Sequence, residues 1–528
     1  MGSWAKRALR MEKDEKGWWH FCAHVPDGTH TYKFRLKSLS HFMKGETVFI
    51  TDPLARRVDE SQDDAAVIVI ENGKDVTTTY DWQHDDVPLP QNDKLVIYEL
   101  HLGEFAAKKD KPGNARGVAE RLDYLVDLGI NAVEFMPVQA FPGDKSWGYN
   151  LRHPCAVENA YGTPQDLKYL IDECHKRGIR VLLDMIFNHM EVEAPLNTVD
   201  YYYWFRDPKD DEPSYGAKLD YDRWDENLEI FPAREYAKAI ARYWIEEYHV
   251  DGYRLDATAV INNFEFINEL GEACKEVVYQ KPFYLTAEQI PEDPSLSNNS
   301  ISIDGAWRKQ FSMQVISALC EQDREGVSSD CQSMMDALNP RNHGYEKPAS
   351  VVNYIESHDE SSLMQKLEEC EITGDKAFRK AKLGATLLFT AVGNPMLYQG
   401  QEFGGNNPAD GEYYPVQWEL LENDFGLHLK AHHAFMAKLR RESPALLGKD
   451  FEPLYCDLES QLIAYRRGYG DFEVIVVANL RDEDRNFAIP FPDGKWREAV
   501  YNVEIESTDK CLQDSIDASS AKIYFRQG

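Results

Sequence analysis

The chain has 528 residues, enough for about three or four compact units. Its 58 Lys and Arg stand against 90 Asp and Glu, a formal charge of −32, in a sequence otherwise ordinary at 43% hydrophobic and 12% aromatic. A field of that sign repels phosphate backbones and anionic headgroups, which speaks against nucleic acid and membrane surfaces and leaves neutral or cationic ligands open.

Residues 1–92 read as a small β module. His30 to Leu36 alternates apolar and polar residues, as a half-buried strand should. Val48–Ile50 and Ala66–Ile70 read as further strands, the latter closed by Asn72-Gly73. Gln83 to Asp93, with Pro88 and Pro90, reads as a linker.

From residue 93 to about 445 strands and helices alternate. Val96–Leu100 is a strand, followed by a helix through Val118, Leu122 and Leu125 that Gly129 ends. Asn131–Val138 is the next strand. Thr163 then stands as an N-cap, Pro164 at the first helical position and Gly178 as the stop of a helix whose buried stripe is Leu167, Leu170, Ile171 and Cys174. Strand Arg180–Phe187 follows. Helix Glu235–Tyr248 leads to strand Gly252–Ala257, and helix Phe264–Val278 to strand Phe283–Glu288. Residues 301–306 are a weak strand and Val351–Ser357 a clearer one. Helix Lys376–Thr390 leads to strand Pro395–Tyr398, and a last helix runs to about Arg440. Eight such units predict an α/β fold, a closed (β/α)8 barrel with helices outside. An open doubly wound sheet is the structural alternative, but Leu102–Phe105 is not the Gly-rich phosphate turn it would show. Residues 190–230, with Tyr201–Trp204 and Pro213, read as a short insertion after the third strand. Residues 446–528 return to β character, with strands at Leu462–Tyr465, Val474–Ala478, Ala499–Tyr501 and Lys522–Phe525, and read as a β-sandwich.

Met1 to Met11 lacks the apolar run of a signal peptide, and the most apolar stretch, Ala385–Val392, is far short of the roughly 18–20 residues that span a bilayer. The nine cysteines are scattered and form no C-x-x-C pair, so they read as reduced, buried thiols of a cytoplasmic protein. The sequence carries no signal for an oligomeric state.

In a βα barrel the functional groups sit at the carboxyl ends of the strands. Asp184, Asn188 and His189 follow the third strand, and Arg254 and Asp256 the fourth. Glu288 follows the fifth, and Glu356, His358, Asp359 and Glu360 the seventh. Each alone has a plain reading: a cap, a core histidine, an ion pair. Their convergence on one rim suits glycoside hydrolysis or transfer, which needs one ionised and one protonated carboxyl. Arg254, two residues before Asp256 on the same strand face, keeps Asp256 ionised and makes it the better nucleophile. Glu288 follows the apolar end Leu285-Thr286-Ala287, where desolvation raises its pKa and suits it to be the acid. Asp359 can accept bonds from ring hydroxyls, and His189 and His358 can donate to them. A metal site is the rival, but no H-x-x-x-H or H-E-x-x-H spacing occurs and Arg254 beside a cation is costly. No G-x-S-x-G elbow appears either.

Four stretches, Asp184–His189, Gly252–Asp256, Ala287-Glu288 and His358-Asp359, resemble the signature segments of the α-amylase family of retaining α-glucan enzymes. Trp147–Asn150 is similar to that family's loop whose tyrosine stacks under the sugar, and Gly393–Pro395 through Gly400–Glu402 to its eighth-strand turn. The resemblance implies a (β/α)8 barrel with a C-terminal β-sandwich and an α-glucan substrate. It implies Asp256 as nucleophile, Glu288 as general acid/base and Asp359 as transition-state stabiliser, with Tyr149, His189, Arg254 and His358 binding the reacting sugar. No cofactor is required. Asn188 matches a position that ligates calcium in many members, beside the plain structural role of a strand-end Asn. Trp82–Asp86, Val96–Glu99, Leu170–His175 and Phe378–Ala391 look most like intracellular α-amylases of the cyanobacterial type, which cut α-1,4 bonds of glycogen- or starch-like chains. Glu356–Glu360 looks like glycogen-branching enzymes, which are the alternative. A non-catalytic glucan binder is a third reading, opposed by intact Asp256, Glu288 and Asp359. The N-terminal module is similar to a glycogen-binding module entered midway, at Met1–Trp4, and Trp18 and Trp19 read as its core rather than as a sugar platform.

Overall fold

Eight short parallel strands close into a barrel, and every residue of each is buried. In chain order they are β1 (Ile97–Leu100), β2 (Ala132–Phe135), β3 (Arg180–Met185), β4 (Gly252–Leu255), β5 (Tyr284–Ala287), β6 (Gly305–Arg308), β7 (Val351–Asn353) and β8 (Asn394–Tyr398). Each pairs with its neighbour in sequence, and β8 returns to β1 through Met396↔Ile97 and Tyr398↔Glu99. The computed structural model describes residues 8–15, 17–108, 111–209, 215–278, 281–299, 302–409, 411–468 and 471–527. The (β/α)8 barrel expected from the sequence is therefore present. Met1–Trp4, Pro213 and residue 301 lie outside the described residues.

Local chemistry accounts for the helices around it. Helix Pro164–Lys176 starts with a full capping box: Thr163 accepts from the Asp166 N–H, and the Asp166 side chain accepts from the Thr163 N–H. The predicted helix through Val118 is two pieces, Ala115–Ala119 and Leu122–Leu128, the first capped by Asn114 and the second ended by Gly129 at φ 93°. Helices Pro232–Tyr248, Phe264–Val278, Lys309–Cys320 and Gly374–Thr390 bury their apolar stripes on the strands. No described helix is long and apolar enough to cross a membrane.

Inside the barrel an apolar floor lies under the polar rim. Ile97, Ala132, Leu182, Tyr284, Trp307, Val352 and Met396 form it. Tyr284 crosses the floor, and its hydroxyl donates to the Ala349 carbonyl at 2.6 Å. Two glycines make room for it. A Cβ on Gly252 would lie 2.2 Å from the Tyr284 carbonyl oxygen, and one on Gly305 2.5 Å from its hydroxyl.

The flanking β regions differ in detail from expectation. The run His30–Leu36 is two strands: Gly28–Tyr32 pairs with Ala65–Glu71, and Phe34–Lys37 with Thr47–Ile50. The chain turns a corner at Lys33, which reaches Asp63, so alternation continues while the sheet changes. Trp18 and Trp19 are not core: they are 60% and 59% exposed, on a hairpin pairing only Glu12–Lys13 with Trp19–His20. Residues 190–230 do hold an insertion, helix Pro195–Trp204 and a three-stranded sheet of His189–Met190, Phe205–Arg206 and Ala217–Leu219. The N-terminal region docks on that helix, where Ser38 donates to the Thr198 carbonyl at 2.7 Å.

After helix Asp424–Glu442 come a six-stranded antiparallel sheet and a two-stranded one, packed around Phe487, Trp496, Leu512 and Tyr524. Ala499–Tyr501 is a turn, not a strand. The strand is Gly494–Glu498, and Glu498 closes the turn by accepting from the Tyr501 N–H at 2.6 Å. Phe451–Asp457, Arg485–Pro490, Glu504–Ser507 and Cys511–Ile516 are strands the sequence reading passed over.

Candidate active site

The site grows from the inward face of β4. Gly252, Arg254 and Asp256 alternate along that face, so the first leaves space for Tyr284 and the other two point up towards the rim. The Arg254 side chain is wholly buried. One of its nitrogens donates to both oxygens of Asp184 (2.9 and 2.8 Å) and to Asp256 at 2.7 Å. Another lies 2.8 Å from Glu288. Its guanidinium carbon sits 4.6 Å from the Trp307 ring centre. These acids raise the Arg254 pKa well above its ordinary value against the penalty of burial, so it stays a cation. Burial pushes Asp184 up to about 7 in spite of Arg254.

Asp256 is fixed from two more sides. Asn188 donates to its carboxylate at 2.6 Å, and the Asp256 N–H donates to the Met185 carbonyl at 3.1 Å. Ala257 next adopts a left-handed conformation, φ 42° and ψ 53°, which a non-glycine residue rarely takes. That turn aims the Ala257 N–H at the Glu288 carboxyl, 2.9 Å away. Thr258 follows, bonding the Glu288 carbonyl through both its N–H (2.9 Å) and its hydroxyl (2.7 Å). Burial raises the Glu288 pKa, with Arg254 acting against it and the charges of Asp256 and Asp359 adding to it.

The opposite wall comes from β7 and β1. His358 lies 2.5 Å from Glu99 through Nδ1, and its Nε2 is 3.3 Å from Asp359. Burial opposes a charge on this ring, but Asp359 and Glu99 outweigh it and raise the pKa to about 10. Asp359 is the open member of the group, its side chain 47% exposed. Burial works against its ionisation, and His358, Arg254 and Lys309 together lower its pKa nonetheless. Tyr149 stacks on His358 at 5.0 Å and 22°, and its hydroxyl donates to Asp184 at 2.6 Å.

His189 faces the Tyr149 carbonyl at 2.8 Å and the Asn188 side-chain oxygen. Both ends of the Asn188 amide are thus engaged, one on Asp256 and one on His189.

All the residues expected at the site, Tyr149, His189, Arg254, Asp256, Glu288, His358 and Asp359, are gathered at one mouth, joined by Asn188. Two other rim carboxylates turn away. Glu356 accepts from the Leu363 N–H at 2.9 Å, and Glu360 pairs with Lys309 at 2.9 Å. Sequence reasoning gave no part to Glu99 or Glu134. The signal was there: a glutamate in the apolar run Val96–Leu100, and another inside Ala132–Phe135. Among the described residues neither Glu134 oxygen has a hydrogen-bond partner, and burial raises its pKa well above the usual carboxylate range.

A family model described as the α-amylase catalytic domain matches residues 74–444. The chain belongs to the α-amylase family. A 1,4-alpha-glucan branching enzyme GlgB of Oceanobacillus iheyensis is 31% identical, over 95% of this chain and 83% of its own. A malto-oligosyltrehalose trehalohydrolase of Saccharolobus solfataricus is 28% identical, over 75% and 70%. Pullulanase type I from Bacillus subtilis, solved with maltose, superposes with a TM-score of 0.81 at 20% identity, covering 100% of this chain and 82% of that one. Both the barrel and the flanking β regions of this α-amylase family chain thus have a solved counterpart in fold.

Proposed function

We propose that the protein is a retaining glycosidase that hydrolyses α-1,4 bonds of glycogen- or starch-like glucans. One observation carries this reading: the same buried guanidinium, Arg254, touches both Asp256 and Glu288. Two carboxyls within reach of one arginine suit the short separation of retaining enzymes, about 5–5.5 Å, rather than the roughly 6.5–9.5 Å that inverting enzymes need for a water. Asp256, bonded by Arg254 and Asn188, attacks C1. As the new bond forms, the C1–O4 bond breaks and the proton on Glu288 passes to O4, which leaves as the hydroxyl of the departing sugar. Glu288, now a carboxylate, takes a proton from water. That water attacks C1, displaces Asp256 and leaves the hydrolysed sugar. Asp359 and His358 hold the ring hydroxyls, a carboxylate beside an imidazolium. Tyr149 covers the reacting sugar, and His189 and Asp184 hold Tyr149. We assign the reaction to the cytoplasm, as the scattered cysteines suggest.

A second reading is branching transfer, in which a glucan 6-hydroxyl replaces water in the second step. It is favoured by Glu356–Glu360 and by the branching enzyme among the relatives. Incubation with amylose, followed by proton NMR, separates the readings. Hydrolysis gives new reducing ends alone, and branching gives new α-1,6 linkages without them. Neither signal would leave only a glucan binder.

A further inference from the structure

Two thiols far apart in sequence meet where the barrel joins the C-terminal β region. Cys331 Sγ lies 3.0 Å from Cys456 Sγ, and 125 residues separate the two along the chain. Both are free cysteines. Cys331 also donates to the Asp457 carbonyl at 3.4 Å. Spacing along the sequence gives no sign of such a pair, because the fold alone brings its members together.

The backbone is fixed on both sides. Cys331 opens helix Cys331–Ala337, whose cap Asp330 accepts from the Ser333 N–H at 2.8 Å. Cys456 lies in strand Phe451–Asp457, at the edge of the six-stranded sheet, opposite Ile463. The helix stands against that edge, and the two sulfurs face each other across the junction. A disulfide bond is about 2.05 Å long, so the sulfurs need to approach by only about 1 Å. The pair has an inner and an outer member: Cys331 is wholly buried and Cys456 half-buried. Burial, with the charges of Asp330 and Asp457, raises both thiols above their ordinary pKa. Little thiolate is then present at neutral pH, which makes the pair slow to close and, once closed, slow to open.

We propose that Cys331 and Cys456 are a redox site, oxidised by a small-molecule disulfide to a bond that ties the C-terminal β region to the barrel. Cys456, the accessible thiol, loses its proton and attacks one sulfur of the small disulfide, expelling a first thiolate. Cys331 then loses its proton and attacks Cys456 Sγ, expelling a second. The two thiolates take up the two protons. One small disulfide is thereby reduced to two thiols, and two protein thiols become one disulfide. The new bond closes a loop that contains β7, His358, Asp359 and β8. A link across so long a loop restricts the unfolded chain, so the oxidised form resists unfolding. The proposal does not depend on the glycosidase reading.

The test uses the full-length protein, incubated with oxidised glutathione at about pH 8.5, near the ordinary thiol pKa. Remaining thiols are alkylated in denaturant, and peptides are mapped by mass spectrometry without reduction. A linked peptide joining Cys331 to Cys456 should dominate. The melting temperature should rise by about 5 °C and return to its starting value with dithiothreitol. Cys456→Ser and Cys331→Ala, treated alike, should show neither change. Both thiols alkylated, glutathione left on Cys456, or a link from either cysteine to a different one would overturn the proposal. A Cys331–Cys456 link without a rise in melting temperature would overturn it as a tie, and so would a rise that persists in Cys456→Ser. If a variant fails to fold, the map and melting of the wild-type protein still decide.

Discussion

Arg254 is the residue on which the charge pattern of the mouth turns. It sits between Asp184, Asp256 and Glu288, and only a buried cation that cannot lose its proton could hold three carboxyls so near one another. The division of labour proposed for those acids can be read by substitution. Asp256→Asn should lower turnover by about four orders of magnitude or more while circular dichroism and melting stay close to wild type. Near-normal activity would remove Asp256 as nucleophile. Glu288→Gln should lose activity on maltoheptaose yet retain much of it on α-maltotriosyl fluoride, whose leaving group needs no proton. Equal loss on both would mean Glu288 is not the acid. Glu356 shows a different effect of burial. It holds the chain beyond Asp359 through Leu363, and burial pushes its pKa up to about 8. A carboxyl raised on folding stabilises fully below its unfolded pKa, near 4.5, and loses that contribution as pH rises through the folded value, near 8. Glu356→Gln keeps an acceptor for Leu363 and cannot ionise. Urea titrations should show the variant gaining on wild type across about pH 5–8, by up to about 1.4 kcal/mol per unit. Parallel stability curves would contradict the shift.

At the scale of elements, the ends of β3, β4, β5 and β7 were readable because each carries an acid, an arginine or a histidine after a short apolar run. The best-read helix was Pro164–Lys176, where Thr163, Pro164, Asp166 and Gly178 all mark boundaries. The β regions were harder. Alternation in His30–Leu36 records which face is buried but not which partner strand lies alongside, so the change of sheet at Lys33 leaves no trace in it. Strands such as Glu504–Ser507 are half exposed and polar, and their pairing with Gly494–Glu498 is made by the fold rather than by propensity. Glu99 and Glu134 were passed over for a related reason. A strand period reports direction, and a glutamate pointing into a barrel has the same period as one pointing to solvent. Gly252 shows how little slack the barrel has. With 2.2 Å between its missing Cβ and the Tyr284 carbonyl, Gly252→Ala must push β4 and β5 apart. A loss of about 2–3 kcal/mol, or failure to fold, is expected in denaturant titration. A change under about 0.5 kcal/mol would mean the strands can separate there freely.

At the scale of the molecule, 90 acids face only 58 Lys and Arg, and ion pairs that reach solvent, such as Lys108–Glu120 and Arg242–Glu276, contribute little. Self-repulsion then outweighs them. Raising NaCl from about 10 mM to about 150 mM shortens the Debye length from roughly 30 Å to 8 Å, and should raise the melting temperature at neutral pH. A fall would show that attraction between surface pairs outweighs the repulsion. The same acidity that argued against polyanions in the sequence offers no obstacle to an uncharged glucan.

The polar layer above the barrel floor has one more consequence. Glu99, Glu134, Asp184, Asp256, Glu288 and Asp359 share that space with two cations, Arg254 and His358, and burial raises Glu134, Asp184 and Glu288 towards their neutral forms. A sugar that seals the mouth displaces water from Asp359 and extends the same pressure to the last open carboxyl. Ligand capture and proton uptake are then two faces of one equilibrium. In a calorimeter, the heat of maltotriose binding would vary with the ionisation enthalpy of the buffer, so that the solution around the protein keeps a record of each glucan that enters.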